Sequence, residues 1–359
     1  MKTVVSVCSA RPNFVKLAAV HHALQETARG ECEHVIVHTG QHYDPLFSDV
    51  FFQELSIPTP TFNLGIKGGD REQVIAATEA AFAAVMPKIR PDIVLVYGDV
   101  NGAVGAARAA KEAKVLLGHV EAGLRSFDLI MPEEHNRIAI DALSDLLFCS
   151  EESGMANLKR EGVKGERHLV GNTMIDTLIR MQGAIKRAEL PSGIPSRYAV
   201  VTLHRPSNVD DPAMLTKNLE FFLELSKKIP LLLPVHHRLK AKLESHPLHE
   251  RITASLCLLP AQPYLPFLKL VTGARFILTD SGGIQEEAAF LQKRCFTLRK
   301  NTERPVTVES GSNILVDITE KQDRANVMEA AEGAEPYVTI PPLWDGKAGK
   351  RIVELLLKS

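Results

Sequence analysis

The chain has 359 residues, enough for two or three domains that each bury a hydrophobic core. Apolar residues make up 45% and charged residues 24%, which is typical of a soluble globular protein. The net charge of −1 gives no broad field for nucleic acid or an anionic membrane, and no apolar run reaches the ~18 residues that cross a bilayer. The five cysteines are scattered without a CxxC pair, so we expect a protein of the reducing cytoplasm.

Strands and helices alternate along the first half of the chain. Apolar, β-branched runs predict strands at 3–8, 34–39, 93–97, 115–120, 146–149 and 168–170. Helical patterns lie between them at 12–26, 71–89, 102–112, 132–143 and 152–161. Continuous apolar strands between helices indicate a parallel sheet that is covered on both faces.

The second half repeats this alternation after a linker at 188–197, which holds two prolines and a glycine. Strands are predicted at 198–202, 231–234, 254–258, 276–279, 295–298 and 313–316, with helices at 211–228, 265–272, from 283, and at 346–358. The predicted fold is therefore α/β, with two Rossmann-like, doubly wound parallel-sheet domains at 1–187 and 198–342. Residues 343–359 are expected to pack back on the first domain. In such folds the ligand lies in a cleft at the carboxyl ends of the strands.

A Ser-Gly-Gly turn joins the predicted strand 276–279 to the next helix. Ser281, Gly282 and Gly283 leave the first backbone N–H groups of that helix uncovered, and the helix dipole adds positive charge, so a phosphate or diphosphate fits there. Glu287, one turn into the helix, is placed to accept hydroxyls such as a ribose diol. A plain strand-to-helix turn explains the glycines alone equally well, but acidic residues and histidines at other strand ends favour a binding site.

Three carboxylates follow the strands of the first half. Asp99 and Glu121 come at the carboxyl ends of adjacent predicted strands, and Glu133 opens the next helix after Pro132. An acidic residue in a first helical turn is also ordinary complementation of the helix dipole. When carboxylates lie close together, their mutual repulsion raises the pKa of one above that of another. A cluster of carboxylates can therefore supply both an acid and a base.

Basic residues accompany these carboxylates. Arg11 lies where the first helix begins and Lys16 one turn on, so both are candidates to hold an anion, with a solvated surface arginine as the plain alternative. Arg304 lies in a polar loop that is unusually rich in charged and hydroxyl side chains.

Histidines follow two strands of the second half. A histidine at such a position is more often structural than catalytic, but His204 and His236 occupy equivalent positions, which weakens the structural interpretation. The neighbouring pair His236-His237 points to opposite faces of an extended chain, so no bidentate metal site is predicted. Phe267 is a candidate to stack on a nucleotide base, although an aromatic residue at that place is more often part of the core.

No GxGxxG, GxxxxGK[ST] or GxSxG motif occurs at a strand–helix junction, which disfavours nicotinamide, P-loop and hydrolase chemistry. In combination, the motifs resemble those of the non-hydrolysing UDP-N-acetylglucosamine 2-epimerases, which have the two-domain glycosyltransferase-B architecture. The resemblance covers essentially the whole chain. It is carried by Ala10-Arg11-Pro12, Thr39-Gly40-Gln41-His42, Gly98-Asp99, His119-Val120-Glu121-Ala122-Gly123-Leu124-Arg125, Pro132-Glu133-Glu134-His135-Asn136-Arg137, Gly171-Asn172-Thr173, His204-Arg205, Asp280-Ser281-Gly282-Gly283-Ile284-Gln285-Glu286-Glu287 and Thr302-Glu303-Arg304-Pro305.

The resemblance implies reversible C2 epimerisation of UDP-N-acetylglucosamine to UDP-N-acetylmannosamine, through elimination and re-addition of UDP. It implies catalytic roles for Asp99, Glu121, Glu133 and His204. It also implies a substrate-binding set: Arg11, Lys16, Gln41, His42, Arg137, His236, Phe267, Ser281, Gly282, Gly283, Glu287 and Arg304. No metal and no cofactor are expected. The implied partners are a UDP-sugar substrate and a second copy of the chain, in a homodimer, with neither nucleic acid nor membrane.

The sequence departs from the family pattern at two places and leaves alternatives open. Pro206-Ser207 stands where an acidic residue often follows the His-Arg pair, and Val100-Asn101 follows Asp99 where threonine is commoner. The alternatives are an epimerase for a UDP-diacetamido-uronic acid, a hydrolysing epimerase, a glycosyltransferase of the same architecture and an inactive UDP-sugar sensor. The complete set of carboxylates disfavours the sensor.

Overall fold

Two compact α/β units make up the protein in a computed structural model that describes residues 1–40, 51–333 and 338–359. The first unit comprises residues 1–180 and 342–359, and the second comprises residues 181–341. Within the described ranges, none of the helices is both long enough and apolar enough to cross a membrane.

The first unit is built on a parallel sheet. Its described strands are β1 (Lys2–Cys8), β2 (Cys32–His38), β3 (Phe62–Asn63), β4 (Ile93–Tyr97), β5 (Leu116–Val120), β6 (Leu146–Cys149) and β7 (Glu166–Leu169). They lie in the order β3-β2-β1-β4-β5-β6-β7, and every neighbouring pair is parallel. The carboxyl ends of β4 and β5 therefore lie side by side at one edge of the sheet.

Helices cover this sheet on both faces. They are α1 (Arg11–Thr27), α2 (Arg71–Ile89), α3 (Asn101–Glu112), α4 (Pro132–Leu143), α5 (Glu152–Arg160) and α6 (Thr173–Arg187), within which the boundary between the units falls. Asp70 and Gln73 start α2 with a capping box, in which each side chain accepts a bond from the other residue's backbone N–H. A Cβ at Gly105 of α3 would lie 2.5 Å from the Ile75 carbonyl oxygen, so the glycine allows α2 and α3 to pack closely.

The second unit repeats the architecture. Its strands are β8 (Ala199–Thr202), β9 (Leu231–Pro234), β10 (Cys257–Leu259), β11 (Phe276–Thr279), β12 (Arg294–Thr297) and β13 (Asn313–Leu315), in the parallel order β10-β9-β8-β11-β12-β13. Its helices are α7 (Pro206–Val209), α8 (Pro212–Leu225), α9 (His237–Glu244), α10 (His249–Ser255), α11 (Tyr264–Gly273), α12 (Gly282–Phe290), α13 (Pro305–Glu309) and α14 (Lys321–Ala330). The predicted class, paired parallel-sheet α/β units, is confirmed.

The last helix, α15 (Ala348–Lys358), belongs to the first unit. A Cβ at Gly349 would lie 2.4 Å from the Ala19 carbonyl oxygen, so α15 contacts the backbone of α1. The Gly349 N–H donates to Asp176 Oδ2 at 2.7 Å, and burial raises the pKa of that carboxyl to about 6. This carboxyl therefore anchors the start of α15 to α6.

The structure differs from the predicted elements mainly in the second half. The strand predicted at 254–258 is wrong at its start, because Ala254 and Ser255 end α10 and the strand begins at Cys257. Ile252 of α10 is fully buried, so packing of this short helix overrides local propensity. The helices α6, α7, α9, α10, α13 and α14 were not predicted, and neither was the two-residue strand β3.

A chain of hydrogen-bonded polar side chains links α1 to β4 through β2 and β1. His21 Nδ1 lies 2.9 Å from His34 Nδ1, His34 Nε2 lies 2.8 Å from Ser6 Oγ, and Ser6 Oγ lies 2.7 Å from the Tyr97 hydroxyl. Burial lowers the pKa of His21 to about 4 and that of His34 to about 3. Both imidazoles are therefore neutral in the folded protein at neutral pH.

This histidine pair predicts a loss of stability in mild acid. The unfolded chain protonates each histidine near pH 6.5 and the folded chain only near pH 3 to 4, so the stabilisation is complete above pH 6.5 and is lost as the pH falls. Between pH 6.5 and 5 the free energy of unfolding should fall with pH in both proteins, but less steeply in His34→Gln than in wild type. The two slopes should differ by about 1 kcal/mol per pH unit. Urea unfolding at fixed pH measures this difference. His135→Gln, at an exposed position of α4, is the control, and an unchanged slope in His34→Gln would contradict the prediction.

Candidate functional site

Two carboxylates stand at the adjacent ends of β4 and β5. Lys16 of α1 forms an ion pair with Glu121, and both side chains are more than nine-tenths buried. A Cβ at Gly98 would lie 3.0 Å from Lys16 Nζ and 3.2 Å from Glu121 Oε2, so the absent side chain leaves room for this pair. Gly98 and Glu121 both have positive φ, at 65° and 75°, which is unusual for a glutamate.

The first turn of α1 is fixed against the same strand. Asn13 Oδ1 accepts hydrogen bonds from the backbone N–H groups of Ser9 and Ala10, at 3.1 and 3.0 Å. Its Nδ2 donates to the Tyr97 carbonyl at 2.9 Å. The helix therefore starts beside the Gly98-Asp99 segment, with the exposed Arg11 as its first residue.

Asp99 belongs to a second cluster, with two residues of α4. Arg137 forms ion pairs with Asp99 and, at 2.6 Å from Nη2 to Oε2, with Glu134. Burial alone would raise the pKa of Glu134, but hydrogen bonds from the Ser126 backbone and from Arg137 outweigh it and lower that pKa. The Asp99 side chain keeps 31% of its surface exposed, so it stays open to a ligand while Arg137 is buried.

The structure distinguishes Glu133 from its neighbour Glu134. Glu133, predicted to be catalytic, lies half-buried in the first turn of α4, and its side chain makes no hydrogen bond to any of the described residues. Glu134 was missed, although it is buried and holds Arg137. Its spacing of three residues from Arg137 on a helix was the signal for this pair.

The predicted diphosphate turn opens α12 in the second unit. Ser281 is the N-cap residue of α12, and Gly282 begins the helix. A Cβ at Gly282 would lie 2.7 Å from Glu303 Oε1 and 2.9 Å from Arg304 Nη1. Position 282 therefore needs glycine, because buried charged side chains occupy the space where a side chain would start. Gly283 follows, partly exposed, in the first turn.

Arg304 is the cation of this turn. Its Nε lies 2.8 Å from Glu286 Oε2 and its Nη1 lies 2.5 Å from Glu303 Oε1, while Arg299 Nη2 lies 2.8 Å from Glu303 Oε2. All four side chains are at least nine-tenths buried. The network fixes the loop before α13 against α12, which holds the first turn of α12 in place.

Asp280 organises the segment that carries His204. Its Oδ1 lies 2.8 Å from His204 Nδ1, and its Oδ2 accepts a hydrogen bond from the Arg205 backbone at 2.9 Å. Burial would raise the pKa of Asp280, but the bonds from His204 and the Arg205 backbone lower it. Asn208, in the segment that departs from the family pattern, also donates to Oδ2 at 3.2 Å. Sequence reasoning missed Asp280, although it directly precedes Ser281.

His236 lies near His204, with ring centroids 5.8 Å apart. It is the N-cap residue of α9, and its Nδ1 accepts a hydrogen bond from the Arg238 N–H at 3.3 Å. Burial, followed by the neighbouring His237 and His204, lowers the pKa of His236 to about 4. With Nδ1 accepting, the proton of this neutral ring is on Nε2, which is therefore a donor.

Glu287 and Phe267 lie on neighbouring helices of the second unit. Glu287 is 4% exposed, and the Tyr264 hydroxyl donates to its Oε1 at 3.1 Å. Burial raises the pKa of Glu287 to about 8, so the carboxyl holds a proton near neutral pH. Phe267 is partly buried and packs against the apolar residues beside β8 and β11.

Two predicted binding residues, Gln41 and His42, lie outside the described residues. Across residues 1–40, 51–333 and 338–359, no group of three or more His, Cys, Asp or Glu side chains is arranged to hold a metal ion.

Solved structures share this arrangement of two parallel-sheet units. A UDP-GlcNAc 2-epimerase of Methanocaldococcus jannaschii, in complex with UDP-GlcNAc and UDP, is similar over the whole of both chains, with a TM-score of 0.89 and 34% identity. MurG of Acinetobacter baumannii is also similar over both whole chains, with a TM-score of 0.52 at 12% identity, so it shows the fold alone. The fold is of the glycosyltransferase-B type.

Sequence comparisons define the family. A family model described as UDP-N-acetylglucosamine 2-epimerase matches residues 23–357. A UDP-N-acetylglucosamine 2-epimerase homolog of Methanococcus maripaludis is 38% identical over 98% of this chain and 99% of its own. A UDP-2,3-diacetamido-2,3-dideoxy-D-glucuronate 2-epimerase of Pseudomonas aeruginosa is 38% identical over 99% of both chains. The chain belongs to the UDP-N-acetylglucosamine 2-epimerase family, which confirms the resemblance.

The cluster around Arg137 predicts a large stability effect. Arg137→Met leaves Glu134 buried without its cation, and we expect a loss of roughly 3 kcal/mol in the free energy of unfolding. The double variant Glu134→Gln/Arg137→Met removes both charges of this pair and should recover part of that loss, while the partly exposed Asp99 remains without its cation. Urea unfolding of the two variants and wild type measures the difference. A loss below about 1 kcal/mol in Arg137→Met, as for a surface ion pair, would contradict this account of the cluster.

Proposed function

We propose that the protein interconverts UDP-N-acetylglucosamine and UDP-N-acetylmannosamine by eliminating UDP and adding it back. The observation that carries this proposal is the placement of Asp99 and Glu121 at the adjacent ends of β4 and β5, each held by its own buried cation. Membership of the family and the M. jannaschii structure with UDP-GlcNAc and UDP support the substrate.

The chemistry of the sugar explains the need for elimination. The hydrogen on C2 is not next to a carbonyl, so its direct removal at neutral pH is prohibitive. Cleavage of the C1–O bond develops positive charge at C1, which acidifies the C2 proton, and the departing UDP takes the electron pair. A carboxylate then accepts the proton, which leaves 2-acetamidoglucal and UDP. Protonation of C2 from the opposite face and re-addition of UDP give the epimer.

The second unit is assigned the UDP group. The N–H groups at the start of α12 and the nearby Arg304 stabilise the negative charge on the departing diphosphate. Glu287, one turn further on, is assigned to the ribose hydroxyls, and Phe267 to the uracil. His236 supplies a donor from Nε2, and His204 is placed by Asp280.

The first unit is assigned the sugar. Two faces of C2 need two proton-transfer groups, and Asp99, Glu121 and Glu133 provide the candidates. Lys16 and Arg137 offset the repulsion between carboxylates gathered at one edge of the sheet. By the same family resemblance we propose a homodimer that works in the cytoplasm.

A second candidate substrate is UDP-2,3-diacetamido-2,3-dideoxy-glucuronate. The P. aeruginosa relative named for that activity is as similar in sequence as the M. maripaludis homolog, at 38% identity each. Both substrates require the same C2 chemistry, so the carboxylates do not discriminate between them. Parallel assays with the two UDP-sugars do.

Product analysis in D₂O tests the proposal. Incubated with UDP-N-acetylglucosamine alone, the protein should form UDP-N-acetylmannosamine that carries deuterium at C2, because solvent-exchanged carboxylates return the hydrogen. Nuclear magnetic resonance and mass spectrometry identify the product and its label. Free N-acetylmannosamine would indicate a hydrolysing enzyme, and an epimer without deuterium would exclude this route.

Replacing a catalytic carboxylate with its amide should lower the rate of the reaction without weakening the binding of UDP. Asp99→Asn and Glu121→Gln should each lower kcat by roughly 10²- to 10⁴-fold, because a proton-transfer group is lost, while UDP affinity measured by calorimetry stays within threefold or so. Glu112→Gln, at an exposed position near the end of α3, is the matched control and should behave as wild type. An equal loss of UDP affinity would assign these residues a structural role instead.

A further inference from the structure

His119 of β5 is fully buried and makes two fixed contacts behind the carboxylates. Its Nε2 lies 2.9 Å from the Gly98 carbonyl oxygen, and its Nδ1 lies 2.7 Å from Asp141 Oδ1. A carbonyl oxygen only accepts hydrogen bonds, so Nε2 carries a proton and donates a hydrogen bond to the Gly98 carbonyl. The imidazole thus links β5 to the residue that directly precedes Asp99.

Asp141 of α4 prevents the imidazole from turning. Its Oδ2 accepts hydrogen bonds from Arg125 Nη1 at 2.7 Å and from the Gly123 N–H at 3.2 Å. Arg125 donates in turn from Nε and Nη2 to Glu161, the C-cap residue of α5, at 2.9 and 2.6 Å. Asp141 and Arg125 are both at least 97% buried. The ring orientation of His119 is therefore set by a network that spans β5, α4 and α5.

The hydrogen bond from His119 to the Gly98 carbonyl restrains the backbone directly before Asp99. Gly98 has φ of 65°, in the left-handed region that glycine adopts readily, so the backbone turns at the residue that directly precedes Asp99. His119 holds the carbonyl before Asp99, and Asn136 Nδ2 holds the carbonyl of Asp99 itself at 2.8 Å. With both peptide groups fixed, the direction of the Asp99 side chain is fixed as well.

We propose that His119 is a positioning residue for the proposed epimerisation, which orients Asp99 by donating a hydrogen bond from Nε2 to the Gly98 carbonyl. This inference rests on the function proposed above. It assigns His119 no contact with the substrate and no proton transfer to the sugar. His119 acts through the Gly98-Asp99 peptide alone, while its contact with Asp141 sets the ring plane.

Two amide substitutions separate the two contacts of the ring. The amide nitrogen of glutamine takes the place of Nε2, so His119→Gln keeps a donor for Gly98. The amide nitrogen of asparagine takes the place of Nδ1, so His119→Asn keeps the contact with Asp141 and leaves the Gly98 carbonyl without its donor. The substitutions are close in size and polarity, which makes each the control for the other.

The positioning role predicts a split between these variants. His119→Asn should lower kcat by roughly 100-fold, because a displacement of about 1 Å in a catalytic group has an effect of that size. The KM for UDP-N-acetylglucosamine and the thermal midpoint should be the same in His119→Asn and His119→Gln. His119→Gln should recover kcat to within about fivefold of wild type, since the bond to Gly98 remains. Steady-state kinetics and thermal melts of wild type and both variants measure this.

The results distinguish a failure of the positioning role of His119 from a failure of the proposed epimerase function. A wild-type protein that does not epimerise UDP-N-acetylglucosamine refutes the proposed function. An active wild type with equal kcat losses in both variants, or losses that follow the melting temperature, refutes the positioning role. Should His119→Asn fail to fold, His119→Gln decides alone: kcat within about fivefold of wild type supports the role, and a larger fall at unchanged KM overturns it.

Discussion

Carboxylates buried at the end of a parallel sheet must each be compensated, and this constraint shapes both units. A buried charge without a partner costs several kcal/mol, so the fold supplies Lys16 for Glu121, Arg137 for Asp99 and Glu134, and Arg304 for Glu286 and Glu303. Some of these pairs are local, as for Arg137 and Glu134 on α4, but Lys16 with Glu121 and Arg137 with Asp99 join residues far apart in the chain. The distant pairs form only when α1 and α4 are packed in place. The charged sites are therefore a consequence of the tertiary fold rather than of any one motif.

The two units differ in how their charged groups are held. In the first unit the acidic groups are held by cations, but Asp99 keeps part of its surface exposed and Glu133 is half-buried without a hydrogen bond to the described residues. In the second unit, Arg304 is paired with Glu286 and Glu303 beside the start of α12, where Gly282 leaves room for these side chains.

The sequence predicted the strands that matter most, because apolar β-branched runs between helices are an unambiguous pattern. The predicted 93–97 and 276–279 coincide with β4 and β11. Short helices such as α9 and α10 escaped prediction, since two turns carry little periodicity and packing decides them. Lys16 was read as an anion-binding residue, yet in the structure it pairs with Glu121, 105 positions away, a contact that no local pattern encodes. Asp280 and His119 were missed as contributors for the same reason, because their importance lies in the distant groups that they hold. Glu134 was missed although its spacing from Arg137 is a local signal.

The central claim is that the bond between C1 and the diphosphate oxygen breaks and reforms during each epimerisation. Positional isotope exchange measures this directly, with UDP-N-acetylglucosamine that carries ¹⁸O in the oxygen bridging C1 and the β-phosphorus. If UDP is released from C1 within the site, the label should appear in non-bridging β-phosphate positions of both the recovered substrate and the epimer. An epimer that retains all of its ¹⁸O in the bridging position would contradict the account.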